Sequence, residues 1–182
     1  MHQYRLHTIE SAPEKSRPAL QGLKQKFGLI PNLAATMAES PVLIGGFVGA
    51  FANFHGGTFS AGQRQVLLLT NAVTNACPWA VAFHSTLALK EGVDADDIRA
   101  IRERRPPADT TLAALSAFTR SLIERRGHVD GDELAAFTAA GFGHDQALEV
   151  IAGLAVSTMA NYAGNITDPV VEEPFMSQTW AA

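Results

Sequence analysis

Helix-start signals recur along this chain at short intervals, and no alternating apolar–polar stretch of useful strand length interrupts them. Ser40-Pro41 sets a capping hydroxyl before proline at a first helical position. Ser60 with Gln63 and Asp130 with Glu133 have the spacing of capping boxes. Cys77-Pro78, Asp94 with Asp97, and Asp109 supply three more starts. Ser11 with Glu14 suggests a further one, although Pro18 stands inside the segment that would follow. Stops fall where the chain needs them, at Gly28, Gly56-Gly57, Gly92, Pro106-Pro107 and Gly141. Between Asp109 and Ile123 the apolar positions Leu112, Leu115, Phe118 and Leu122 follow the helical period. A last long helix is expected from about His144 to Ala163, with an extended tail over residues 165–182 that holds Pro169 and Pro174. With no linker and no internal repeat, residues 1–182 read as a single all-α domain.

The helix expected after Pro41 carries Gly45, Gly46 and Gly49. Each glycine costs up to about 1 kcal/mol in a helix, so close backbone packing is the expected return. Apolar residues make up 47% of the 182 and charged residues 18%. Such a chain is expected to bury faces against other copies of itself, as a homo-oligomer. A net charge of −4 offers nucleic acid no basic footprint. The first residues carry Arg5, Glu10, Glu14 and Lys15, so no signal peptide is expected, and no apolar run reaches the roughly 20 residues needed to cross a membrane. The expected location is the cytoplasm.

Chemistry is sought in the segment from Asn75 to His84. Between Ser40 and Leu89 the only fixed charge is Arg64, and Cys77 is the only cysteine in the chain. A thiol at a helix N-terminus faces unpaired amides and the positive end of the helix dipole, which favour thiolate. Cys77 is therefore either a tuned nucleophile or a small buried hydrophobe. Trp79 is placed to shield one side of the sulfur. His84 lies on the same helical face as Cys77 but roughly 10 Å further along the axis, too far for a direct hydrogen bond. Ala80, four residues before it, is the position His84 reaches. A single cysteine excludes an intrachain disulfide, and the scattered histidines lack metal-ligand spacing, so neither a metal nor a cofactor is expected.

This segment resembles the alkylhydroperoxidase D-like, carboxymuconolactone decarboxylase family, in its peroxidase-related branch. That family has a glutamate, eleven residues, a cysteine, two residues, a second cysteine, three residues and a histidine. Here Gln65, Cys77, Ala80 and His84 stand at those four positions. The flanks are similar too: Phe27-Gly28-Leu29-Ile30-Pro31-Asn32-Leu33, the helix start at Phe59-Ser60-Ala61-Gly62-Gln63-Arg64-Gln65, and Asn161-Tyr162 with Asp168-Pro169. The resemblance implies an alkylhydroperoxidase D-like helical fold built to oligomerise, with a core over about residues 40–164. In redox members the four motif residues form a proton relay around a reversible disulfide. Gln65 cannot ionise and Ala80 supplies no resolving thiol, so that disulfide cycle cannot run here.

Three readings follow. The first is a one-cysteine peroxidase or antioxidant: Cys77 attacks a peroxide, an external thiol reductant restores it, and Gln65 and Trp79 orient the substrate. The second is an oligomer without catalysis that binds a small apolar ligand. The third is a non-redox lyase or decarboxylase with His84 as acid–base and Arg64 holding the carboxylate of a small organic acid.

Overall fold

The structure is a computed structural model and describes residues 4–181. Nine α-helices are present among the described residues, and no strand. In chain order they are α1 (Arg17–Phe27), α2 (Asn32–Met37), α3 (Pro41–His55), α4 (Ala61–Thr74), α5 (Pro78–Lys90), α6 (Ala95–Arg102), α7 (Thr110–Glu124), α8 (Gly131–Ala139) and α9 (His144–Thr167). The all-α expectation is met.

Local signals account for most boundaries. Ser40 accepts a hydrogen bond from the Leu43 amide. The capping boxes of Ser60 with Gln63 and Asp130 with Glu133 close reciprocally. Asp94 and Asp109 also cap their helices by side-chain acceptance. The exception is Ser11 with Glu14. Ser11 and Thr8 instead bond each other's amides in a turn. A short 3₁₀ turn at Glu14–Ser16 follows, and α1 begins at Arg17 with Pro18 in its first turn. Proline fits there because its missing N–H would have had no helical partner.

α4 is the central helix. Every residue from Gln65 to Val73 is buried, and α5, α7 and α9 pack around it. α5 is buried almost as fully, from Trp79 to Thr86. Two glycines on α9 allow its close approach. A Cβ at Gly153 would stand 2.6 Å from Leu67 Cδ2, and one at Gly164 would stand 2.7 Å from Cys77 Sγ. The three glycines of α3 behave otherwise. A Cβ at Gly45 or Gly49 would meet nothing within 4 Å, and one at Gly46 only Met159 Sδ. Close packing within the chain is not what they serve; they lie on an exposed face.

The end of the chain also departs from expectation. α9 continues to Thr167, and residues Glu173–Gln178 coil into a 3₁₀ turn docked on α5. The buried Phe175 meets Phe83 edge to face at 5.0 Å between ring centres. Glu172 anchors the segment: Oε2 accepts from Trp79 Nε1 at 2.8 Å and Oε1 from the Asn32 amide at 2.5 Å. That amide opens α2, so the carboxylate also answers a helix N-terminus.

Candidate functional site

The link from α4 to α5 sets Cys77. The chain leaves α4 through Asn75 and turns at Ala76, which is left-handed at φ 48°. It enters α5 with Cys77 as the extended N-cap residue and Pro78 in the first turn. Cys77 thus sits at the helix N-terminus, as its neighbours in sequence imply. The expected thiolate does not follow. Cys77 is 0% exposed, and its sulfur lies against Gly164 of α9. Burial pushes the thiol up; the amides of Ala80 and Trp79 pull it the other way without closing a capping hydrogen bond. Desolvation of a thiolate outweighs the attraction of the helix terminus.

His84 lies elsewhere in the same helix and has a different partner. Its Nδ1 meets Gln65 Oε1 at 3.0 Å, across the α4–α5 contact. The amide oxygen only accepts, so Nδ1 carries the proton and Nε2 keeps its lone pair. Burial, with His55 nearby, pushes the pKa of His84 down to about 3. The ring is neutral at physiological pH.

Beside His84 is an apolar cavity of about 40 Å³. α5 contributes Trp79, Ala80, Phe83 and His84; α1, α2 and α3 contribute Phe27, Met37, Phe47 and Phe51; α9 contributes Ser157. Trp79 stacks on Phe83 at 4.9 Å and is fixed by its bond to Glu172. Ala80 is a methyl in the wall where the family's second cysteine would stand. Cys77 and Arg64 do not line the cavity. Arg64 folds back so that Nη1 donates to the Phe59 carbonyl.

Sequence reading passed over His55, Ser157 and the phenylalanines of α1 and α3. His55 stacks on Phe51 at 3.8 Å between ring centres, with Nδ1 on the Phe51 carbonyl at 2.9 Å. Burial first, then the charge of Lys26, hold its pKa down at about 4. Lys26 covers Phe51 with its ammonium 4.3 Å above the ring centre. The spacing of Phe47, Phe51 and His55 by four was the available signal, since it puts all three on one face of α3.

The matches to known proteins agree with this architecture. Residues 47–120 match the model of the carboxymuconolactone decarboxylase family. The crystal structure of an alkylhydroperoxidase AhpD core, an uncharacterized peroxidase-related protein from Ralstonia eutropha JMP134, is similar with TM-score 0.81 and 19% identity. The match covers 95% of this chain and 93% of that one. The debrominase Bmp8 is similar with TM-score 0.80 and 18% identity, over 98% of this chain and 96% of that one. A peroxidase-related protein from Silicibacter sp. TM1040 gives 0.78 at 13% identity, over 97% and 93%. No curated protein matches the sequence. Identities this low establish a fold and leave activity open. Residues 47–120 thus resemble the carboxymuconolactone decarboxylase family, and the helices are arranged as in the alkylhydroperoxidase AhpD core.

Proposed function

We propose that this protein binds a small, mostly apolar molecule in the cavity beside His84 and engages it through His84 Nε2, without thiol redox chemistry. One observation carries the reading: a neutral imidazole, with its tautomer set by Gln65, borders a mostly apolar cavity that Cys77 does not line. A lone pair in apolar surroundings selects a ligand that brings one N–H or O–H donor, because an unmet donor loses its hydration on entry. The debrominase Bmp8 has been solved in complex with 2,3,4-tribromopyrrole. That is a small apolar ring with a single N–H, the kind of molecule this reading calls for. A cavity of about 40 Å³ holds a few atoms, whereas a benzene-sized guest needs about 150 Å³. A ring therefore enters when the half-buried Phe27 and Phe51 turn aside. The same proposal includes self-association of the chain through its exposed apolar helix faces.

Trp79 lines the cavity and reports on it. In a Trp180→Phe background, which removes the chain's other tryptophan, 2,3,4-tribromopyrrole is expected to quench its fluorescence saturably. His84→Ala is expected to weaken that binding about 10-fold, the worth of one hydrogen bond. Absence of saturable quenching, or binding indifferent to His84, overturns the reading.

The one-cysteine peroxidase is the second reading, favoured by the amides of Trp79 and Ala80 that draw the Cys77 pKa down. Its step is attack of the thiolate on a peroxide oxygen, giving sulfenic acid and an alcohol or water, with an external thiol as reductant. Trapping of sulfenic acid at Cys77 under stoichiometric hydrogen peroxide is expected to be no faster than at a free thiol. Fast, saturating trapping would restore this reading.

A further inference from the structure

Ser157 is a second polar group in the cavity, and a chain of asparagines decides what it offers there. Asn75 Nδ2 donates to the backbone carbonyl of Asn71 at 3.1 Å, which fixes the orientation of the Asn75 amide. The same nitrogen donates to Asn71 Oδ1 at 2.6 Å, so the Asn71 amide is fixed in turn. Asn71 Oδ1 also faces Asn161 at 2.9 Å, and two oxygens would repel, so Asn161 presents Nδ2. That nitrogen lies 3.3 Å from Ser157 Oγ. Ser157 therefore accepts from Asn161, and its own proton is left to give away.

A buried helix hydroxyl can spend its proton on the carbonyl four residues earlier. Thr86 donates to Ala82 and Thr167 to Ala163 in this way. Ser157, only 2% exposed, makes no such bond among the described residues. Ser157 lines the same cavity as His84. One donor and one acceptor thus border a space of about 40 Å³, small enough for one polar group of a ligand to meet both.

We propose that Ser157 is a specificity-determining residue that, paired with His84, makes the cavity a site for a neutral hydroxyl compound, a phenol or small alcohol. The ligand O–H donates to His84 Nε2 and its oxygen accepts from Ser157. This rests on the cavity being a ligand site, as proposed above, and names the chemical class it takes. A ligand with an N–H alone satisfies His84 and leaves the serine proton unmet, so it binds less well than a hydroxyl of equal size.

Four probes separate these roles by titration of Trp79 fluorescence in the Trp180→Phe protein: phenol, pyrrole, anisole and toluene. Wild-type residues at the site are expected to favour phenol over toluene. Ser157→Ala should weaken phenol and anisole by about 5-fold and leave pyrrole and toluene unchanged, the loss of one neutral hydrogen bond. His84→Ala should weaken phenol and pyrrole instead. Ser157→Thr, which restores the hydroxyl, should recover the phenol-to-toluene preference, and it guards against a merely disturbed fold. A phenol-to-toluene preference untouched by Ser157→Ala overturns the proposal while the cavity reading stands. Failure of all four probes to bind overturns both.

Discussion

His84 and Cys77 share a helix and meet opposite fates, because each is governed by what surrounds it. Gln65 accepts the Nδ1 proton but offers no charge to balance an imidazolium, so burial, with His55 nearby, holds the His84 pKa down. A carboxylate in that position would balance it. Gln65→Glu is expected to raise the His84 pKa by about one pH unit or more, read from its ring proton shifts by NMR. An unmoved titration would mean that Gln65 does not control the ring. The low pKa also has a stability consequence. The unfolded chain protonates this histidine near 6.5 and the folded protein only near 3. Between those values the unfolded state holds the extra proton, so stability falls as pH drops through that window. The loss is on the order of a few kcal/mol. It is expected as a falling denaturation midpoint from pH 6.5 to 4, smaller in His84→Leu. For Cys77, the sealed and pKa-raised thiol should alkylate with iodoacetamide far more slowly in the native protein than in urea. Equal rates would contradict its burial.

At the scale of elements, the crossing of α9 over the start of α5 holds this part of the site. Gly164 leaves room there for Cys77 Sγ, and Ser157 lies two turns earlier on α9, in the cavity wall. Gly164→Ala would drive a methyl to 2.7 Å from the sulfur. The expected cost is about 1–3 kcal/mol by overpacking. Cys77→Ala should recover part of that loss in the double variant, although alone it leaves a small void. The cycle measures whether the two positions share one space. Additive losses by chemical denaturation would refute the shared contact. Gly164 and Cys77 are 87 residues apart by their numbers, which is why this pairing stands in no local motif.

The molecule as a whole exposes more apolar surface along two helices than its interior requires. On α9, Leu148, Ile151, Tyr162 and Ile166 form an outward stripe, and on α3 Val42 is 86% exposed near the unpacked glycines. Met159 brings the two faces together at Gly46. Neither stripe carries a charge, in keeping with the self-association proposed above. Light scattering is expected to give a multiple of the 19.4 kDa chain mass. Ile151→Glu with Ile166→Glu should shift it toward the single-chain value. A wild-type protein that runs as a monomer at micromolar concentration would exclude this face as an interface. No described helix is long and apolar enough to cross a membrane, so the stripe is not a span.

The helices and most of their starts were legible in the sequence because caps act over three or four residues. Ser60 needs only Gln63, and Asp130 only Glu133, to close a helix end. The positions of Gln65 and His84 were legible only through the family resemblance. Burial was not, because it depends on which faces meet. Cys77 at a helix N-terminus reads as a thiolate until α9 packs against it at Gly164 and buries it. Arg64 reads as a substrate anchor until its guanidinium turns to the Phe59 carbonyl. Residues 165–182 read as extended because Pro169 and Pro174 deny a long helix, yet Phe175 and Glu172 dock on α5 and α2. The sequence by itself determined the elements, while the bond of Gln65 to His84 across α4 and α5 came with the packing. Tertiary packing alone decided which of the chemically able side chains face the cavity, since exposure is a property of surfaces brought together from distant parts of the chain.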